Sequence, residues 1–176
     1  MRASNSLFIE FNESSKGDYA QLFRSCFFNQ NAAAVTRKVK WNATDSNITI
    51  LNVDGSSIGN PGVSELMALY HGLRLAWELN IKELICYSDS GTAINLITEP
   101  VDEWHHYAAI LLNIKDILAR DWRVKITHTL REGNACTDFL AKFGAHNNEA
   151  LSIMVTPPAG LNLLLLADAS GTWFNR

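Results

Sequence analysis

The chain lacks a cysteine pattern on which a metal knuckle or a disulfide framework could be built. Cys26, Cys86 and Cys136 lie far apart with no Cys-x-x-Cys spacing, so they read as reduced, partly buried thiols. It also lacks an excess of base. Its 15 Lys and Arg against 18 Asp and Glu leave a formal charge of −3, which excludes a protein that holds a polyanion by bulk electrostatics. No segment approaches the roughly 18 apolar residues of a membrane helix, and "MRASNSLFIEFNESS" has no apolar run of signal-peptide length. The expectation is an intracellular protein, cytoplasmic or nuclear, with no membrane partner. Without a secretory route the Asn-x-Ser/Thr triplets at Asn12, Asn42 and Asn47 are chance matches. There is no internal repeat, no low-complexity tract and no phosphate-cradling GxxxxGK[ST].

What is present is a globular balance, with 47% hydrophobic and 19% charged residues, in a chain long enough for one ordinary domain. Residues 1–46 show no sustained period and read as a linker or tail. Within them Arg37, Lys38 and Lys40 form a short basic cluster, read as solvated, with contact to phosphate as the alternative. From residue 48 the pattern sharpens. "ITILNV" is a short β-branched run closed by Asp-Gly, which suits a strand. Leu66, Leu69, Tyr70, Leu73, Ala76 and Trp77 then recur at helical intervals to a helix end near Asn80. "KELICYSDS" supplies a second strand, and "GTAINLI" a helix stopping before Pro100. A longer amphipathic helix is expected over 102–119, with Trp104, Ala108, Leu111, Leu112, Lys115 and Leu118 at helical intervals. "RVKITHTL" is a third strand. A last helix over 136–143 ends at Gly144, placed as a C′ glycine.

Strands that alternate with helices imply a mostly parallel α/β sheet with ligands beyond the carboxyl ends of its strands. Asp54 and Asp89 both fall at such ends, Glu65 enters with the first helix, and Asp138 starts the last one. For each acid alone, a turn or helix-cap role competes with a ligand role. Gathered at one rim, like charges require a raised pKa, a basic partner or a hard divalent cation, and no basic partner is evident nearby in sequence. Oxygen donors without a His or Cys cluster favour Mg²⁺ or Mn²⁺. The histidines His71, His105, His106 and His146 lack partners at ligand spacing and read as solvated or capping.

In order, "NVDGSSIGNPG", "ELMALYHGL", "YSDS" and "HTLREGNACTDFLAK" resemble the type 1 ribonuclease H domain, in particular its plant branch related to non-LTR retroelement polymerases. The likeness covers about 48–144. It implies catalytic, metal-binding carboxylates at Asp54, Glu65, Asp89 and Asp138, two Mg²⁺ (or Mn²⁺) ions, and cutting of the RNA strand of an RNA/DNA hybrid. His128 falls where the family often has a mobile histidine assisting water or product movement; a structural surface role is the alternative. Ser56, Ser57, Gly59 and Asn60 fall in the family's substrate-side loop, and their plainer reading is a Gly/Pro turn.

The family places two antiparallel strands between the GNPG turn and the Glu-bearing helix, whereas here only Val63 and Ser64 separate Gly62 from Glu65. The expectation is therefore a ribonuclease H-like α/β fold with a reduced sheet of three parallel strands and flanking helices, the Ile48 strand lying at an open edge. "TEPVDEWHHYA" contributes acid where the family has a basic protrusion, so the hybrid should bind weakly. In domain terms this means a linker or tail at 1–46, the ribonuclease H-like domain at 47–145, and a C-terminal extension at 146–176 packed on it. Three functions stay open: a metal-dependent hybrid nuclease; a truncated, catalytically weak relic acting as a binding module; and an unrelated Mg²⁺-binding receiver-like domain. The oligomeric state is not assigned.

Overall fold

The computed structural model describes residues 6–12, 38–41, 48–56, 61–102, 104–144, 154 and 156–175. Among these the chain runs β1 (Ser6–Asn12), β2 (Lys38–Val39), β3 (Thr49–Ser56), α1 (Pro61–Glu78), β4 (Glu83–Ser88), α2 (Gly91–Thr98), α3 (Ala108–Leu118), β5 (Arg123–His128), a 3-10 turn (Arg131–Asn134), α4 (Ala135–Gly144), α5 (Leu161–Ala169) and β6 (Phe174–Asn175). β1, β3, β4 and β5 form one sheet in that order, and β2 and β6 form an antiparallel ribbon.

The three expected strands pair in parallel, β3 with β4 from Thr49↔Leu84 to Val53↔Ser88 and β4 with β5 from Glu83↔Arg123 to Ser88↔His128. Every connection between them carries a helix, as parallel neighbours require. The sheet is larger than expected by one strand. β1 comes from the stretch read as linker or tail and pairs in parallel with β3, from Ser6↔Ile50 to Asn12↔Ser56. The Ile48 strand is thus an interior strand. β1 is the short apolar run "SLFIEFN", which has no sustained period after it to mark a strand and helix unit, and nothing in it names its partner, which lies 44 residues further along the chain.

The main core fills the space between the sheet and α1, α2 and α3. Leu51 and Val53 on β3, with Leu84 and Cys86 on β4, meet Leu66, Leu69, Leu73 and Ala76 of α1, Ile97 of α2, and Leu111, Ile114 and Ile117 of α3. A fully buried leucine of this kind contributes about 1.5–3 kcal/mol over its exposed state, so α1 is held by several such side chains. It ends in a Schellman arrangement: Ile81 N–H donates to Ala76 O at 3.1 Å, Asn80 N–H to Trp77 O at 2.9 Å, and Asn80 takes the left-handed φ of 59°.

The expected 102–119 helix is shorter. Asp102 accepts from Trp104 N–H on its side chain at 3.0 Å and from His105 N–H on its carbonyl at 2.9 Å, and His105 Nδ1 accepts from Tyr107 N–H at 3.2 Å. These local bonds hold a turn until α3 starts at Ala108, and Trp104 is left 91% exposed instead of facing the core. His105 therefore does serve a turn at a helix start. On the opposite face of the sheet α4 packs over β3, and Cys136, Phe139 and Leu140 form a second cluster with Leu161 and Leu164 of α5. Gly144 is itself the last residue of α4.

Candidate active site

β3 passes from buried Leu51 and Val53 to Asp54, whose residue remains only 8% exposed. Gly55 follows, and here glycine is required. A Cβ on Gly55 would stand 2.3 Å from the Ser64 carbonyl carbon and 2.4 Å from the Glu65 nitrogen, both backbone. The absence of a side chain lets α1 press its N-terminal turns onto the end of β3, and that contact delivers Glu65 to Asp54. The Gly55 N–H donates to the Glu65 carboxylate, and Glu65 and Asp54 share a side-chain hydrogen bond.

Asp89 follows the last residue of β4 and reaches the same rim because β3 and β4 are adjacent and parallel. Its backbone is fixed by the turn after it: Ser90 N–H donates to Ser88 Oγ at 3.1 Å, and Ser90 Oγ accepts from Ala93 N–H at 3.2 Å as the N-cap of α2. Asp54, Glu65 and Asp89 each offer a carboxylate oxygen, and the three oxygens lie within 4.8 Å of one another.

Asp138, in the first turn of α4, stands beside this trio but is held differently. Arg131 donates to its Oδ1 through Nε at 3.0 Å and through a second, shorter contact from Nη2, and Lys142 Nζ donates to its Oδ2 at 2.6 Å. His128, at the end of β5, is exposed and places Nε2 3.2 Å from the Asp89 carbonyl oxygen. The 3-10 turn is tied to the site by Asn134, a fully buried side chain that donates to Val53 O at 3.1 Å and accepts from Thr137 Oγ1 at 3.1 Å. Ser56 ends β3; its side chain, together with Ser57, Gly59 and Asn60, lies outside the described residues.

A family model described as reverse transcriptase-like matches residues 22–144, well over half of the chain. The chain belongs to the reverse transcriptase-like family, with a ribonuclease H-like domain. A protein of Arabidopsis thaliana named "Putative ribonuclease H protein" is 23% identical over 167 residues, covering 78% of this chain and 27% of its own length. The chain thus spans about a quarter of that relative.

In this member of the reverse transcriptase-like family the electrostatics follow from burial and crowding. Burial, then the charges of Asp89 and Asp138, push Asp54 up to about 7, against a lowering by Arg131. Burial, then Asp54 and Asp89, push Glu65 up to about 9. Asp89 is raised as well, chiefly by burial. At neutral pH and without a cation Glu65 therefore keeps its proton and Asp54 is partly protonated. Asp138 goes the other way: burial would raise it, but the Lys142 and Arg131 bonds together hold it below its ordinary value.

The donor set fits a hard divalent cation. It is all carboxylate oxygen, it has no sulfur or imidazole within it, and Glu65 Oε2 is buried without a hydrogen-bond partner. Asp54, Glu65 and Asp89 would hold such an ion. Arg131 is the functional residue that sequence reasoning missed, since no basic partner had been expected. A signal was there, an arginine seven residues before Asp138 in "LREGNACTD", but only the 3-10 turn and the start of α4 fold that spacing into an ion pair.

Proposed function

We propose that the chain is a metal-dependent nuclease domain that hydrolyses the RNA strand of RNA/DNA hybrids. The observation that carries this reading is the convergence of Asp54, Glu65 and Asp89 at the carboxyl end of a parallel sheet, in a ribonuclease H-like domain. Mg²⁺ or Mn²⁺, two ions in the family's pattern, would supply an activated water and charge neutralisation at the phosphate. The chain's own residues do the rest. Asp54, Glu65 and Asp89 would hold the cation, and because burial and crowding raise Asp54 to about 7 and Glu65 to about 9, occupancy would displace protons from these two and strengthen as pH rises toward 8. Arg131 keeps Asp138 ionised beside them. His128, exposed beside Asp89, would assist the movement of water or product at the site.

The test is cleavage of an end-labelled hybrid with and without Mg²⁺, in wild type, Asp54→Asn and Asp89→Asn. Metal-dependent cutting lost in both variants is the expected result. Cutting that persists unchanged in either variant refutes the site.

A second reading, a binding module with little turnover, is favoured by one observation. Asp138 has both carboxylate oxygens occupied by Arg131 and Lys142 and does not join the convergent trio. In that case Mg²⁺ would raise the thermal midpoint while the hybrid stayed uncut.

A further inference from the structure

The ribbon of β2 and β6 carries a pattern that the acidic rim does not use. From Lys38 to Trp41 the exposure alternates: Lys38 and Lys40 point to solvent, while Val39 and Trp41 are buried. A two-residue period of this kind fastens one face of a strand to the body and presents the other. Opposite, Trp173 leads into β6, and 56% of its surface is exposed. Lys40 Nζ lies 5.0 Å from the centre of its indole ring.

The ribbon's position gives the pattern meaning. A Cβ on Gly133 would meet Lys40 O at 3.2 Å and Val39 Cγ1 at 3.5 Å, so β2 rests directly on the 3-10 turn. Gly133 lies two residues after Arg131, whose guanidinium is bound to Asp138 and interacts with Asp54 and Asp89. The backbone that carries Lys38 and Lys40 thus rests on the turn that follows Arg131, and both lysines are exposed, with the exposed indole of Trp173 beside Lys40.

We propose that Lys38, Lys40 and Trp173 form a second contact for nucleic acid, in which the lysines bind backbone phosphates next to the position of cutting and Trp173 stacks against a base or sugar. The inference deepens the nuclease reading and rests on it for the identity of the ligand. The surface complements a polyanion in charge and is continuous with the rim where the scissile phosphate would sit. Exposed lysines interleaved with an exposed aromatic are the usual means of holding a strand without reading its sequence. In a protein of net charge −3, such a local track is where affinity for phosphate must be concentrated.

The experiment is a salt titration of binding. A fluorescein-labelled 20-base-pair RNA/DNA hybrid is followed by anisotropy in EDTA, where no cutting occurs, with the full chain. Losing two phosphate contacts should lower the slope of log affinity against log salt by about two, so that between 50 and 200 mM salt wild type loses about tenfold more affinity than Lys38→Gln/Lys40→Gln. Trp173→Ala should weaken binding about fivefold or more at every salt concentration, and Trp173→Phe should restore it. Lys82→Gln, at the opposite end of the sheet, controls for net charge and should change nothing. Thermal midpoints of all variants equal to wild type establish that the fold is intact.

Unchanged slope and affinity in the lysine and tryptophan variants overturn the proposal, as does a wild-type chain that binds no hybrid. The two readings separate cleanly. Ribbon-dependent binding by a wild-type chain that cuts nothing sinks the nuclease and keeps the ribbon. Metal-dependent cutting by a chain whose binding ignores the ribbon does the reverse.

Discussion

Replacing Asp54 by Asn should make the metal-free protein more stable, against the usual direction of changes at buried positions. Asp54 is nine-tenths buried and pushed up to about 7 from 3.8. For a carboxyl whose folded-state pKa is raised, the stability it permits is complete below the unfolded pKa. It is lost as pH climbs, and the loss is finished near the folded pKa. The window is therefore pH 3.8 to about 7. At about 1.36 kcal/mol per pH unit the cost reaches a ceiling of about 4 kcal/mol above that window. Asparagine removes the charge but leaves a buried amide that costs about 1–3 kcal/mol unless bonded. The net gain is about 2 kcal/mol, or about 4–8 °C in thermal midpoint for a chain of this length. Thermal melts in EDTA from pH 4 to pH 8 should show the variant about 2 kcal/mol less stable at pH 4, where only the buried amide counts, the two curves crossing within the window, and the variant more stable at pH 8. With Mg²⁺ at ten times its dissociation constant, wild type gains about 1.4 kcal/mol and the gap narrows. A variant less stable than wild type at pH 8 in EDTA would refute the argument, and equal Mg²⁺ shifts in both would remove Asp54 from the cation site.

Other consequences follow from single contacts. Gly55→Ala forces a methyl into the α1 backbone and should cost about 2–3 kcal/mol in a urea titration, while displacing Glu65 and abolishing the Mg²⁺-induced rise in midpoint. Arg131→Ala removes one of the two ion pairs that hold Asp138, with Arg131 and with Lys142. Because Asp138 is held below its ordinary value, its contribution is present above pH 3.8 and lost as pH falls. The variant should lose about 1–2 kcal/mol at pH 7, at the low end for a buried pair because the arginine is 63% exposed, and the difference should shrink as acid melts move below pH 3.8. Cys136 Sγ donates to Asp168 Oδ2 at 3.0 Å across the α4 and α5 contact, and burial raises Asp168 to about 6. Between pH 4 and 6 wild type should lose about 1–2 kcal/mol of stability that Asp168→Asn does not, read as the pH dependence of the denaturation midpoint.

How much was legible depended on the distance over which each feature is determined. Asp54 and Asp89 could be located because each closes an apolar strand whose pattern is local, and the βαβ order then dictates that parallel neighbours end on one rim. Glu65 was legible as a helix position, but its contact with Asp54 hangs on Gly55, whose necessity shows only when α1 is seen pressing on β3. Asp138 was located, yet its state was not: the 3-10 turn brings Arg131 round to it from seven residues away, and the α4 repeat brings Lys142. The expected helix start at 102 failed because side-chain and carbonyl bonds from Asp102 and His105 outcompete a first helical turn. β1 went unread because its short apolar run stands in a stretch with no sustained period after it to mark a strand and helix unit.

By itself the amino-acid sequence determined the alternation of strands and helices, the all-oxygen character of the site, and the family to which the chain belongs, since these depend on residue type and short spacing. Only the tertiary structure decided that β3 is an interior strand, that three carboxylates converge while Asp138 is neutralised by Arg131 and Lys142, and that a lysine and tryptophan ribbon lies against the same turn. Those outcomes depend on charges and backbones brought together across long stretches of chain, where electrostatic and steric energies act on separation in space.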